Sequence, residues 1–233
     1  MATMRVAELW RYPVKSMAGE RITDAEIGAL GIPGDRELVV VDEAGRIRDA
    51  RAHSKLLLHH ATLGPDDRVR IDGRDWEDPK VTGWVRDAAG PGARLARLDG
   101  PGHFDVLPLL VATDGAIHAL GVDHRRLRPN LVIGGVSGLA ERGWEGRYLA
   151  IGNTVIGLED LRGRCIMTTF DPETGAQDVE VLLKIRREFG GSFALNAWAA
   201  RPGRIAVGDP VALLDAFEPA EAPRYGRSAR AGR

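Results

Sequence analysis

Cys165 is the one cysteine among 233 residues, and it stands in the run Arg162-Gly163-Arg164-Cys165-Ile166-Met167-Thr168-Thr169-Phe170-Asp171-Pro172-Glu173-Thr174-Gly175. A solitary thiol cannot close an internal disulfide, and it cannot alone hold an iron–sulfur cluster or a structural zinc. Its remaining chemistry is that of a nucleophile, a redox centre, or the one protein ligand of a metal whose other ligands arrive with a cofactor. Arg162 and Arg164 favour the last, because positive neighbours stabilise a thiolate and suit an anionic cofactor. A buried, inert cysteine is the plain alternative.

Three further segments carry suitable side chains. Tyr12-Pro13-Val14-Lys15-Ser16 offers one charge and one hydroxyl after a stiff proline, a pair that suits a phosphate oxygen. In Gly34-Asp35-Arg36 the carboxylate can aim the guanidinium at an anion, although an Asp-Arg pair at a strand start is commonly an ordinary surface ion pair. Arg128-Pro129-Asn130 combines a charge with an amide that both donates and accepts, as reading the edge of a heterocycle requires. Taken singly, each is equally well a solvated loop or a capped strand start. The histidines show no ligand spacing: His59 and His60 are adjacent and would face opposite sides of a strand, and His53, His103, His118 and His124 are scattered.

Those segments must be positioned by many short strands. The chain has 29 glycines and 13 prolines, which argues against a helical bundle and for tight turns. Net charge is -1, so neither a nucleic-acid partner nor a basic protein partner is indicated. Of the 32 cationic residues only Lys15, Lys55, Lys80 and Lys184 are lysines. The arginine excess fits a GC-rich genome, and it also fits phosphate recognition by a planar fork. No apolar run approaches the ~20 residues of a membrane span, and residues 1–12 do not read as a signal peptide. A cytoplasmic protein without a membrane partner is expected.

Strands are predicted at Val6–Trp10, Glu20–Ile27, Glu37–Asp42, Arg46–Ala50, Lys55–Leu63, Arg68–Ile71, Leu107–Ala112, Leu131–Ile133, Tyr148–Ile151, Thr154–Leu158, Cys165–Thr169, Ser192–Ala199 and Gly208–Leu214. Thr82–Asp87 reads as a short strand or helical turn. Turn clusters fall at 88–92 and 99–102. One helix is predicted after Thr113-Asp114, closing at Gly121, and another over Asp178–Phe189 with Val179, Leu182, Leu183 and Phe189 on one face.

Taken in order, YPVKS (12–16), GDR (34–36), RPN (128–130), RCIMTTFDPETG (164–175), a helix and IAVGDPVALL (205–214) resemble the MOSC superfamily. They look most like its branch with an N-terminal MOSC β-barrel domain, which contains the amidoxime reducing components. The resemblance spans roughly Val6 to Leu214. It implies a mainly β fold with a few helices: a β-barrel domain over residues 1–88, packed on a MOSC β-barrel domain over 89–217, with a polar tail at 218–233. It implies a molybdenum cofactor (molybdenum-molybdopterin) held between the domains, with Cys165 as metal ligand and catalytic residue. Lys15, Ser16, Arg36, Arg128 and Asn130 fall on the positions that contact the pterin and its phosphate. Arg164 would restrain the thiolate or the cofactor, and Asp171 would order the same loop.

The implied activity is two-electron reduction of small N-hydroxylated compounds. No N-terminal membrane anchor reads out, and one cysteine cannot supply an appended iron–sulfur domain, so a separate electron-donor protein is expected. A non-catalytic carrier of the molybdenum cofactor or of sulfur is the alternative. The chain departs from the family at Phe104-Asp105-Val106-Leu107, where a serine-rich segment is common; contacts with a ligand there are expected from the backbone alone, or not at all.

Overall fold

The computed structural model describes residues 3–97 and 104–218. The turn expected at 99–102, His103 and the tail from 219 onward lie outside the described residues. The protein is mainly β, with three α-helices among the described residues.

The first strand, β1 (Arg5–Arg11), buries Val6 and Leu9. The chain returns as β2 (Glu20–Ile22) and β3 (Asp24–Ile27). The run Leu38–Val41 forms β4, buried at every residue. A meander follows: β5 (Ala61–Leu63), β6 (Val69–Ile71) and β7 (Arg74–Asp75). Helix α1 (Pro79–Ala89) leads to β8 (Arg94–Arg97), which pairs antiparallel with β4. The division expected at residue 88 thus falls in the last turn of α1, and β8 beyond it pairs back onto the N-terminal half.

The second half begins with β9 (Leu109–Thr113), α2 (Asp114–Leu120) and β10 (Leu131–Gly134). The hairpin β11 (Tyr148–Ile151) and β12 (Thr154–Gly163) is followed by α3 (Val179–Phe189), β13 (Ser192–Arg201), β14 (Gly203–Ala206) and β15 (Val211–Leu214). Eight strands form one sheet in the order β15-β11-β12-β13-β9-β10-β1-β2, and β3 pairs with β14 in a separate ribbon. Only β9 and β10 run parallel in the large sheet, and α2 with a 3-10 turn at His124–Leu127 supplies the crossover that a parallel pair needs.

The large sheet curls without closing. Backbone bonds from Val6 N to Asp209 O (2.9 Å) and Val211 N to Met4 O (2.9 Å) tie the chain around the start of β1 to that around the start of β15, with a single bridge from Arg5 to Pro210, but no ladder joins those two strands.

Alternation places the cores. Leu109 and Val111 of β9 enter a core inside the curled sheet with Leu131, Ile156 and Leu195, while Leu110 and Ala112 face α2 and α3. The N-terminal half has its own core of Val14, Leu38, Leu56, Val69, Val81 and Val85. Phe170 belongs to that N-terminal core, and Met167 packs against it. The cysteine-bearing loop of the second half is therefore seated on the first half.

Several local expectations are corrected. Lys55–Leu58, expected at the start of a strand running to Leu63, lies in a 3-10 helix (Ser54–Leu58), where Leu56 N bonds His53 O at 3.0 Å and Leu56 and Leu57 both enter the N-terminal core; the strand begins only at Ala61. Arg46–Ala50 forms only a single bridge, Val41 to Ile47, because Asp42 folds back to accept from Arg46 N at 2.9 Å. Thr82–Asp87 lies in α1, which starts with Pro79 after an Asp78 cap that accepts from Lys80 N. Ile166–Thr169 is a 3-10 helix whose threonine hydroxyls donate back, Thr168 to Cys165 O and Thr169 to Ile166 O. In α3 the buried face is Val181, Ile185 and Phe189, spaced by four, while Val179 and Leu183 are exposed.

Candidate functional site

A cleft of about 440 Å³ opens between the two halves. Every residue singled out from the sequence as a site residue lines it: Lys15, Ser16, Arg36, Arg128, Asn130, Arg164 and Cys165. The cleft brings seven cationic side chains together against the three carboxylates of Asp49, Asp105 and Asp160.

Cys165 is exposed, just beyond the end of β12 and at the head of the 3-10 helix. The loop behind it is held by Asp171, whose Oδ1 accepts from Glu173 N, Thr174 N and Thr174 Oγ1. Arg126 clamps the same loop, donating to Asp171 Oδ2 at 2.9 Å and to Thr169 O at 2.8 Å. The ordering role expected of Asp171 thus has its hydrogen bonds.

Backbone strain concentrates here. Ser16, Arg36 and Arg128 have positive φ (75°, 52° and 57°), half of the six non-glycine residues that do so among those described. A bulky side chain adopts this region at a cost that surrounding structure must outweigh. At Arg36 the anchors are Arg36 N to Tyr12 O (2.7 Å) and Tyr12 N to Asp35 Oδ1 (2.7 Å). The Asp35–Arg36 pair is buried rather than superficial, with the carboxylate 2% exposed. Arg36 also donates to Asn130 Oδ1 at 3.3 Å.

Tyr12 is the platform beneath the arginines. The Arg128 guanidinium lies 4.2 Å from its ring centre and that of Arg36 5.2 Å. Gly19 permits this: a Cβ there would stand 2.3 Å from Arg11 O and 2.5 Å from Tyr12 Cδ1. Arg128 donates to Met17 O at 2.6 Å, and Arg164 donates to Leu127 O at 2.8 Å. Burial pulls the Arg128 guanidinium down to about 10, only partly opposed by Tyr12 and the nearby carboxylates. Burial, aided by the charge of Arg162, pulls Arg164 down to about 10 as well. Burial likewise pushes the Tyr12 hydroxyl well above its ordinary value.

Two predicted residues turn out to be bound up within the protein. Ser16 Oγ accepts from Ala50 N at 3.0 Å, which positions the segment carrying Asp49 and Arg51. The fully buried Asn130 amide accepts from Leu110 N at 3.2 Å and donates to Trp10 O at 3.2 Å, clasping β1 to β9.

The sequence did not single out Arg51, Asp105, Arg126, Asp160 or Asn196, and it valued Arg162 only as a neighbour of the thiol. Arg162 bridges Asn196 Oδ1 (3.0 Å) and Asp105 Oδ2 (3.3 Å). Asp105 was expected to offer at most its backbone; instead its carboxylate sits in the cleft, accepting from Lys15 Nζ at 2.5 Å and Arg51 Nη2 at 2.7 Å. Burial would raise this carboxyl, but the Lys15 hydrogen bond and the charges of Lys15, Arg51 and Arg162 hold it below its ordinary value. Burial would likewise lower the Arg51 guanidinium, but a hydrogen bond to Cys165 and the Asp105 and Asp49 charges hold it above its ordinary value. No short motif announces Arg51 or Asp105.

Among the described residues, no three His, Cys, Asp or Glu side chains gather into a metal-holding cluster. Four buried side-chain nitrogens among the described residues lack a hydrogen-bond partner, and three belong to cleft arginines: Arg126 Nε, Arg128 Nη2 and Arg164 Nε. Native proteins rarely leave such donors unmet.

Comparison with known families accounts for both halves. The MOSC N-terminal beta barrel domain matches residues 3–103, and the MOSC domain matches residues 111–212. The chain belongs to the MOSC family. This MOSC protein is 27% identical to mitochondrial amidoxime-reducing component 1 of Homo sapiens and 26% to that of Mus musculus, over 90% of this chain and 82% of each relative. It is also 26% identical to molybdenum cofactor sulfurase of Anopheles gambiae, over 85% of this chain but 34% of that longer protein. Among the described residues of the MOSC protein no helix is long and apolar enough to cross a membrane.

Proposed function

We propose that this MOSC protein is a molybdenum-cofactor-dependent oxidoreductase that reduces small N-hydroxylated compounds by two electrons, drawing them from a separate electron-donor protein. One observation carries the reading: an exposed thiol shares a cleft with seven cationic side chains, three of which keep a buried N–H unmet. That donor set fits a phosphate-bearing chelate that brings its own metal ligands and needs one thiolate from the protein.

Cys165 would hold the metal. Arg128, Arg164 and Arg36 would meet the pterin and phosphate oxygens, with Lys15 as a further phosphate contact. Ser16 and Asn130 would act mainly by holding those residues in place, since their polar atoms are engaged with Ala50, Leu110 and Trp10. The cofactor supplies the redox chemistry, in which cleavage of the N–O bond consumes two electrons and two protons and releases water. The protein binds the cofactor through arginine forks, fixes the cysteine loop through Arg126 and Asp171, and orders the strained backbone that presents Arg36 and Arg128. We further propose that the functional halves meet between β8 and β9, with β1 lent by the first to the sheet of the second.

The similarity to a cofactor sulfurase supports a second reading, a carrier that binds the cofactor without turning over substrate. Elemental analysis and a benzamidoxime reduction assay with reduced viologen, on protein from a host that makes the cofactor, separate the two. About one molybdenum per chain with turnover is expected. Molybdenum without turnover favours the carrier, and protein free of molybdenum overturns both.

A further inference from the structure

Three cations from three separate stretches converge on one carboxylate in the cleft. Lys15, in the loop after β1, donates to Asp105 Oδ1; Arg51, beyond β4, and Arg162, at the end of β12, both donate to Asp105 Oδ2. The side chains of Lys15 and Arg162 are mostly buried, whereas that of Asp105 is 33% exposed. Asp49 Oδ2 also takes Arg51 at 2.6 Å, so two carboxylates face three cations here, and the two Asp105 oxygens are shared among three donors. A phosphate or diphosphate brings more charge and more acceptor oxygens to the same donors.

The Asp35 and Asp105 arrangements differ in how readily they exchange partners. Asp35 is buried, bonds the Tyr12 backbone and pairs with its neighbour Arg36, so it is locked. Asp105 lies in the segment ahead of β9, accepts from three long cationic side chains, and keeps a third of its own side chain exposed. Ion pairs in such a setting are worth little and trade partners easily. Arg51 and Cys165 line the same cleft, so the cluster shares it with the thiol.

We propose that Asp105 is a built-in counter-anion: in the ligand-free chain it holds Lys15, Arg51 and Arg162 in position, and it yields them to an incoming phosphate-bearing ligand, so that its charge sets how tightly the cleft holds an anion. The proposal rests on the cofactor reading only in taking this cleft to receive an anion. It makes Asp105 a positioning residue and a competitor, not a ligand contact.

The test uses the full chain from a host unable to make the pterin, with pyrophosphate as probe, titrated calorimetrically at low salt. Asp105→Asn is expected to bind pyrophosphate roughly ten-fold tighter than the parent, the order expected when one like charge is removed a few ångströms from an anion in a half-exposed site. Asp105→Glu is expected to stay close to the parent. Adding Lys15→Met to Asp105→Asn should erase most of the gain. If Asp105→Asn softens the fold, the rise in thermal midpoint on adding pyrophosphate should still exceed the parent's rise. Equal or weaker binding by Asp105→Asn, or no binding by either protein, overturns the proposal. Molybdenum content is measured separately, on parent protein from a host that makes the cofactor: molybdenum there, while Asp105→Asn shows no gain for pyrophosphate, refutes the counter-anion alone, and a gain for pyrophosphate with no molybdenum in that protein refutes the cofactor reading alone.

Discussion

Two groups of arginines sit in opposite electrical situations. On the meander, Arg68 is gripped by Asp75 (2.5 Å) and Glu77 (2.6 Å), and Arg70 by Asp66 (2.8 Å). These charges are paired, exposed or half-exposed, and absent from the lining of the cleft. In the cleft, Arg128 and Arg164 donate to main-chain carbonyls, bond no carboxylate, and keep buried N–H groups unmet. Hydrogen bonds to carboxylates raise the meander arginines above their ordinary pKa, whereas burial drags the cleft pair down to about 10. A protein tolerates uncompensated buried charge where a ligand completes it. The meander is finished as it stands; the cleft is short of negative charge.

The largest expected effect lies at the thiol. Cys165→Ala should abolish benzamidoxime reduction down to the assay background, with the thermal midpoint little changed because the side chain is exposed. Retained turnover by cofactor-loaded Cys165→Ala would sink the ligand role.

Next come the cleft arginines. Arg128→Ala and Arg164→Ala should each lower cofactor affinity roughly 10- to 100-fold, as for groups that orient a bound centre, read as molybdenum per chain. Arg164→Lys should not rescue, since an ammonium lacks the fork. A lowered thermal midpoint with molybdenum occupancy intact would break the contrast, for it would make the cleft arginines props of the fold and not contacts of the cofactor.

Gly19→Ala tests the platform. Its methyl would drive into Arg11 O and the Tyr12 ring, costing about 1–3 kcal/mol in urea unfolding and loosening Arg128 along with the ring. An unchanged urea midpoint would show that the ring is not confined there.

The smallest effects belong to the meander. Arg68→Ala should leave the urea midpoint within the scatter of the parent's and leave molybdenum content untouched. The Arg70 hydrogen bond lowers Asp66 to about 2, and the Arg68 hydrogen bond lowers Asp75 to about 2. Their folded values lie below the unfolded carboxylate value, so their contribution is present above about pH 4 and fades as pH falls towards 2. Asp75→Asn should therefore flatten the acid limb of the thermal midpoint below pH 4. A limb as steep as the parent's would show that the pair contributes nothing measurable.

Much of the scaffold could be read along the chain. The LVVV run of β4, the Gly152-Asn153 hairpin and the capped ends of α2 and α3 are signalled by residues within a few positions of one another. The failures share a cause. The buried face of α3 depends on what Val181 and Ile185 meet across the β13–β9 sheet, and the 3-10 turns at Ser54 and Ile166 depend on where Leu56, Leu57 and Phe170 are drawn. The seven residues expected at the site do line one cleft, yet Ser16 and Asn130 prove to be fastened to Ala50, Trp10 and Leu110.

Residue order alone established a β-rich chain, one thiol, and recurrent basic segments ahead of strands, because caps, turns and side-chain chemistry act over short stretches of backbone. It could not establish that Lys15, Arg51 and Arg162 would meet on Asp105, since these positions are brought together only when the cysteine loop docks Phe170 into the N-terminal core. Nor could it say which arginines would be left wanting a partner. Desolvation and charge balance are properties of the packed molecule, decided when two cores close around one cleft.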